Sequence, residues 1–263
     1  MDTGIKKEKL SFLRQAVIAS ASITRQKNTI HNVTEIDISK PRALLKEYEN
    51  TKNQKLSLTG YLAKCLASTI IKYPNFNSFI SGRQIIYIKD IIISILVERE
   101  IDNQYVPEPL VINDCGGKNL LEIHAEIRAA QNNKIQSKYL GQLSNNFWLR
   151  WIPSFLLKAF VRIASKNVKM GLKYGKLAIT SVGMYAKQPF WVVPHGSATV
   201  LLSVGSIVNR LVLVDDKIES REHLCLTASF DHDIIDGAPA ARFTNDLLEE
   251  IKSGRLLIEL LKQ

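Results

Sequence analysis

Two short stretches of this sequence carry residue types able to move a proton and to hold a developing negative charge. The first is Ser229-Phe230-Asp231-His232-Asp233-Ile234-Ile235-Asp236-Gly237-Ala238, in which a histidine closes an apolar, strand-like run just ahead of an Asp-Gly turn. An imidazole with a pKa near 6.5 can take a proton at neutral pH, and a tight turn at a strand end is where a scaffold exposes one. His232 is therefore the leading candidate for a general base; the competing reading is a histidine that only caps its strand. The second stretch is Lys176-Leu177-Ala178-Ile179-Thr180-Ser181-Val182-Gly183-Met184-Tyr185, where a strand delivers Thr180 and Ser181 to a turn marked by Gly183. A fixed hydroxyl at a strand end can donate to the oxyanion that forms in acyl transfer, with no reorganisation when the charge appears. Taken alone, Thr-Ser before a glycine is ordinary turn chemistry.

The elements that must position these residues follow from periodicity and punctuation. A short helix is expected over Pro41 to Tyr48, with Ser39 as its cap. A longer one starts after Ser57, runs through Leu58, Leu62, Leu66, Ile70 and Ile71, and stops at Tyr73 before Pro74. Asn119 to Gln131 places Leu120, Ile123 and Ile127 together. The last helix opens at Asp236-Gly237-Ala238-Pro239, buries Phe243, Leu247, Leu248 and Ile251, and ends at Gly254. Strands are expected at Ile85 to Ile88, Ile91 to Val97, Leu177 to Thr180, Thr199 to Val204, Leu211 to Val214 and Leu224 to Ser229. Helices cluster early and strands late, which fits a mixed sheet with helices on one side better than a repeated strand-helix-strand unit.

The bulk numbers narrow the classes. An apolar fraction of 46% and a charged fraction of 23% over 263 residues suit one globular domain with a sizeable core. No apolar run is long enough to cross a bilayer, and the first nine residues have no apolar core behind their charges, so a cytoplasmic location is expected. Cys65, Cys115 and Cys225 lie far apart without metal-ligand spacing and read as buried, reduced thiols. The net charge of +10 is scattered along the chain, without a nucleic-acid-binding motif. A basic surface that attracts an anionic small molecule accounts for it.

Taken together, the two stretches resemble a known family. Asp-His-x-x-x-Asp-Gly-Ala followed by Ala240-Ala241-Arg242-Phe243, with Ala178-Ile179-Thr180-Ser181-Val182-Gly183 upstream, is similar to the signature of the catalytic domain of 2-oxoacid dehydrogenase acyltransferases. Leu10 to Ala16 resembles the segment that opens that domain. Val106-Pro107, with the Asn119-Leu120-Leu121-Glu122-Ile123 run after it, resembles its central strand and following helix. The likeness covers residues 10–263, with residues 1–9 as an extension. It implies a chloramphenicol acetyltransferase-like α/β fold, a two-layer mixed sheet with helices mainly on one side. It also implies roles. His232 would deprotonate the attacking thiol or hydroxyl, Thr180 would stabilise the tetrahedral oxyanion, and Asp236 would support the site. Ser181 and Gly183 would lie against substrate, Arg14 would pair with Asp236, and Gly237 would permit the turn. A CoA thioester is the implied co-substrate, with no metal and no tightly bound cofactor. A homotrimer is implied too, with His232 of one subunit facing Thr180 of its neighbour.

Several features depart from that pattern. The family's multienzyme members carry lipoyl domains ahead of the catalytic domain, so here a lipoyl group is expected in trans. Asp233 follows the histidine where arginine is usual, and Thr180-Ser181 replaces Ser-Asn. The stretch from Phe147 to Ala164 is apolar, aromatic and basic. A helix buried in the domain or in a subunit contact is the leading reading, ahead of a lid over an apolar acceptor pocket; a membrane-surface helix is the least favoured. His195 reads as a loop residue, His31 as a residue near the substrate path at best, and His124 and His223 as structural. The apolar Arg255 to Leu261 tail resembles the family's docking tail, or packs on its own domain. The expected function is acyl transfer from acyl-CoA to a thiol or hydroxyl acceptor. The alternatives are a lipoyl-dependent core acting on a lipoyl protein, and a non-catalytic trimeric scaffold.

Overall fold

Caps and breakers in the sequence set many of the element boundaries. The computed structural model describes residues 4–262 apart from 7, 9, 26, 102–103 and 133–153. In chain order the elements are α1 (Phe12–Thr24), β1 (Thr29–Asp37), α2 (Ser39–Lys52), α3 (Leu58–Lys72), β2 (Ser78–Ser81), β3 (Gln84–Tyr87), β4 (Ile93–Ile101), β5 (Gln104–Ile112) and α4 (Leu120–Asn132). They continue with α5 (Ser154–Lys166), α6 (Val168–Tyr174), β6 (Leu177–Ser181), β7 (Val200–Val214), β8 (Lys217–Asp231), α7 (Gly237–Ser253) and α8 (Arg255–Leu261). The Ser57 hydroxyl accepts the Gly60 N–H at 3.3 Å to start α3. Asn119 and Glu122 form a reciprocal capping box at 3.0 and 2.7 Å ahead of α4. At α2 the cap moves upstream: Asp37 accepts the Ser39 N–H at 2.8 Å, so Ser39 is already helical. The helix also runs past Tyr48 to Lys52, where Asn53 in the left-handed region closes it.

Six strands form the main sheet in the order β1-β8-β7-β6-β4-β5, and β2 with β3 makes a separate hairpin. β6 lies parallel to both β4 and β7, while the other pairings are antiparallel. The fold is thus mixed α/β, as the resemblance implied. One element sits elsewhere than expected. The Val106-Pro107 strand is β5, at the sheet edge rather than its centre, where Pro107 and Pro109 need not donate to a second neighbour. The runs expected as separate strands at Thr199 and Leu211 are one continuous β7. A register shift between Val204 and Ile207 breaks its alternation and disguises the continuity. Asp215 and Asp216, both with positive φ (47° and 58°), turn β7 into β8 as a two-residue hairpin.

Strand alternation sorts the sheet into two faces. Ile179, Leu202, Val204, Leu226, Ala228 and Phe230 join the core with Leu62, Leu66 and Ile70 of α3 and Phe243, Leu247 and Ile251 of α7. Phe230 meets Phe243 edge-on at 5.6 Å, and Phe76 stacks on Phe243 at 4.8 Å, anchoring the end of β8 from beneath. Truncating Phe243 to alanine would cost about 3–5 kcal/mol at such a site. The intervening residues, His31, Thr180, Ser203, Thr227 and Ser229, point to the opposite face. The segment after β6 crosses that face: the Phe190 N–H donates to the Ser206 hydroxyl at 2.9 Å, and Trp191 Nε1 donates to the Thr34 carbonyl at 2.8 Å. Leu257 and Leu260 of α8 are buried, so the apolar tail packs on its own domain. The three cysteines are buried and free.

Candidate active site

The backbone holds His232 at the end of β8. The Asp231 carbonyl accepts the N–H groups of Ile234 and Ile235 at 3.0 and 2.9 Å, a tight turn that swings the imidazole out of the sheet. The His232 N–H donates to the Asn28 carbonyl at 2.6 Å, and the Asn28 side-chain amide donates to Asp233 at 2.7 Å. Asp231, buried, is ion-paired with Lys27 and donates its N–H to Thr199 at 3.0 Å. A buried carboxylate left unpaired would be costly, so Lys27 fixes the chain ahead of β1 to the base of the turn. The His232 side chain remains 42% exposed, open to substrate, and its Nδ1 stands 3.8 Å from Asp236 Oδ1. That contact sets a carboxylate beside the ring at the start of α7. Lys176 lies 4.9 Å from the centre of the Phe79 ring. Burial first, and the neighbouring Lys27 second, push its pKa down to about 8, against the pull of Asp231.

Thr180 lies at the far end of β6, beside the middle of β8. It pairs with Ser203 on β7, and Ser203 pairs with Thr227 on β8, so Thr180 is level with a residue five positions before His232. That offset is roughly 16 Å along the strand and roughly 10 Å across it. Within one chain the hydroxyl does not reach the imidazole. The buried hydroxyls of Ser203 and Thr227, in line with Thr180 on the same face, have no hydrogen-bond partner among the described residues. Sequence reasoning missed this row, although a lone hydroxyl in each apolar run (Leu-Leu-Ser-Val and Cys-Leu-Thr-Ala) was its visible trace. Ser181 alternates to the helix side of the strand, away from Thr180. Gly183 packs backbone to backbone: a Cβ there would fall 1.7 Å from the Gly205 carbonyl oxygen.

A narrow cavity of about 260 Å³ opens beside the His232 turn, between Arg25, Lys27, Thr29 and His31 on one side and Val193, Pro194 and His195 on the other. Thr29 pairs directly with Asp231, which places the cavity against the base of the turn. His31 Nδ1 lies 2.8 Å from the Ser229 hydroxyl, and burial, then the nearby His195, lower its pKa. The two histidines are distant in sequence and meet only through the register of β1 on β8 and the path of the crossing segment. The cavity's cationic and hydroxyl lining suits an anionic or strongly polar ligand.

Other predicted residues fall outside this arrangement. Arg14 is exposed on α1, and the ion-pair partner of Asp236 among the described residues is His232, not Arg14. At Gly237 neither a positive φ nor a close neighbour calls for glycine within the chain. His124 is structural: its Nδ1 accepts the Ser57 N–H at 3.1 Å, and burial lowers its pKa. His223 lies 3.9 Å from Glu35, which Arg210 grips through two hydrogen bonds. Among the described residues no cluster of His, Cys, Asp or Glu could hold a metal ion.

A family model for the catalytic domain of 2-oxoacid dehydrogenases acyltransferases matches residues 3–142 and 164–258. The chain belongs to this family. A dihydrolipoyllysine-residue succinyltransferase component of the 2-oxoglutarate dehydrogenase complex from Staphylococcus aureus (strain USA300) is 27% identical over 233 residues. That match covers 87% of this chain and 46% of the relative, so the chain spans about half the length of the curated relatives it matches. A probable dihydrolipoamide acetyltransferase from Listeria monocytogenes 4b F2365 superposes with a TM-score of 0.68 at 21% identity, covering 95% of each chain. A chloramphenicol acetyltransferase shares the fold at a TM-score of 0.52 and 9% identity, covering 95% of this chain and 99% of its own. Within the acyltransferase family, then, this chain is a catalytic domain in which Thr180 and the His232 turn stand five residues apart along one sheet.

Proposed function

We propose that this domain moves an acyl group between CoA and a dihydrolipoyl thiol, with His232 as general base and Thr180 as oxyanion donor. The observation that carries the reading is the exposed His232 imidazole with Asp236 at 3.8 Å, in a chain of the acyltransferase family. The relatives' lipoyl chemistry favours this acceptor over the broader thiol or hydroxyl acceptors that the sequence left open. In the forward step His232 Nε2 takes the proton of the attacking thiol, and the sulfur adds to the thioester carbonyl. The tetrahedral oxyanion accepts a hydrogen bond from the Thr180 hydroxyl. Collapse breaks the original C–S bond, and the departing thiolate recovers the proton from the imidazolium. Asp236 orients the ring. The cavity lined by Arg25, Lys27 and His31 supports an anionic substrate approaching from the His232 side.

Because the Thr180 hydroxyl stands five residues along the sheet from His232 of its own chain, the reading includes a site completed by a neighbouring copy, in a homotrimer. A mixing experiment tests both parts. Acyl transfer from acyl-CoA to dihydrolipoamide is followed by mass spectrometry for wild type, His232→Ala, Thr180→Val, and the two variants unfolded and refolded together. Each variant alone is expected to be nearly inactive, while the mixture recovers about a quarter of wild-type turnover, one intact site per mixed trimer. No recovery in confirmed mixed oligomers removes the shared site. Wild-type turnover equal to that of His232→Ala removes the base, and with CoA binding retained it leaves a scaffold.

A further inference from the structure

Two features lie outside the catalytic arrangement. The helix expected from the Phe147 to Ala164 stretch, buried in the domain or in a subunit contact, is α5, which leaves Phe155 (69% exposed), Phe160 (67%) and Ile163 (70%) outward within this chain. Residues 147–153 of that stretch lie outside the described ones. The other feature is a partly buried amine beside the His232 turn, on Lys176. The Lys176 carbonyl accepts the N–H groups of Thr199 and Val200 at 2.8 and 3.2 Å, and the Thr199 carbonyl accepts the Asp231 N–H at 3.0 Å. Lys176, Thr199 and Asp231 thus form one row across the ends of β6, β7 and β8, about 10 Å wide at two strand spacings. The residue that follows this row is His232. The charges that act on the Lys176 amine are Lys27 and Asp231, and Asp231 is already ion-paired with Lys27. Among the described residues the amine makes no hydrogen bond or ion pair of its own; its contact is the Phe79 ring, 4.9 Å from Nζ to the centre. Lys27 also lines the cavity beside the turn, so the same cation borders both the cavity and the buried amine.

We propose that Lys176 is a self-acylation site, whose amine takes an acyl group directly from the CoA thioester at the His232 turn. The proposal rests on the reading that acyl-CoA binds there. In the step itself the nitrogen lone pair adds to the thioester carbonyl carbon. The C–S bond then breaks, the sulfur keeps its electron pair, and CoA leaves as the thiol with a proton taken from the nitrogen. An amide of Lys176 remains. A lysine set against an apolar surface and beside a second cation is in the surroundings that make an amine nucleophilic near neutral pH. Here the ring is Phe79 and the second cation is Lys27. Burial first, and Lys27 second, hold the pKa of Lys176 down to about 8. At pH 7.5 about a quarter of such a lysine is free amine, against about one part in a thousand for a lysine of ordinary pKa. Acylation also removes the charge that Lys176 sets beside Lys27.

The test incubates the full chain with acetyl-CoA and no acceptor, then reads the initial acetylation rate of each lysine by mass spectrometry of its peptides. Lys169, exposed on α6, is the comparison within the same molecule. At pH 7.5 Lys176 is expected to react about tenfold or more faster than Lys169. Its rate should climb with pH and level off above about 8, where the amine is already neutral. In the urea-unfolded chain the preference should vanish, because it belongs to the folded surroundings and not to the peptide. His232→Ala should keep the Lys176 label while losing transfer to dihydrolipoamide, since an amine that is already neutral needs no base. A wild type that transfers to dihydrolipoamide but labels Lys176 no faster than Lys169 overturns the proposal and leaves the acyltransferase reading standing. A preference that survives unfolding also overturns it. Preferential labelling of Lys176 with no transfer to dihydrolipoamide does the reverse, and equal labelling with no transfer removes both.

Discussion

The His232 turn and the end of β6 at Thr180 are built in different ways. At the His232 end the chain ties itself down with polar bonds: Asp231 to Lys27, Asn28 to both His232 and Asp233, and the turn bonds to Ile234 and Ile235. At the Thr180 end it relies on shape, with Gly183 pressed against the Gly205 carbonyl and exposed Met184 and Tyr185 outside. A base must keep its orientation while its charge changes, which calls for directional bonds. A hydroxyl donor needs only a fixed strand end. On the proposed reading, each chain would carry two half-sites rather than one whole site.

Four experiments would break or sharpen this contrast. His232→Ala should lower turnover about 10²–10⁴-fold. Its urea midpoint should stay at the wild-type value, since the turn is held by backbone groups that alanine keeps. Thr180→Val removes the hydroxyl and keeps the shape, and should lower turnover about 10²–10³-fold. Calorimetric CoA binding should not change; a parallel loss of binding would make Thr180 a substrate contact instead. Gly183→Ala should destabilise the fold by about 1–3 kcal/mol in urea titrations, because the new methyl meets backbone that cannot rotate aside. If it melts like wild type, the shape-based account of that end is wrong.

The smallest effect is electrostatic and belongs to the polar end. Burial holds Lys176 down to a pKa of about 8, below its usual value near 10.4 in the unfolded chain. Between these values the unfolded state binds more protons, so stability should rise with pH across that window and be flat just below it. Lys176→Met should abolish the rise in stability measured by denaturant titration from pH 7 to pH 10. An unchanged slope would assign it to other groups.

What was legible in the sequence was local. The apolar face of the helix from Asn119, the stop at Pro74, the last helix from Asp236 to Gly254 and the strand-then-turn at His232 each depend on neighbours a few residues away. Those relations are written in the chain order. What escaped depends on register. His31 meets His195 because β1 pairs with β8 and a segment crosses above them. Ser203 and Thr227 line up with Thr180 only once three strands are aligned. The β7 bulge hid a continuous strand because the extra residues invert the alternation on which strand detection rests. The Arg14 pairing with Asp236, which is not made within this chain, is hard to read for a related reason: an arginine on a helix says nothing about which distant carboxylate its helix will approach.

That bulge also has a mechanical side. β8 runs without interruption from the Asp215-Asp216 tip to Asp231, about 50 Å of continuous strand with the catalytic turn at its far end. β7, its rail on one side, carries a slack point at Gly205 and Ser206 where the two strands fall out of step. One rail is stiff and the other has give. The strand that leaves the hairpin tip is thus the one that ends in the His232 turn, and the pair's one change of register lies between the two.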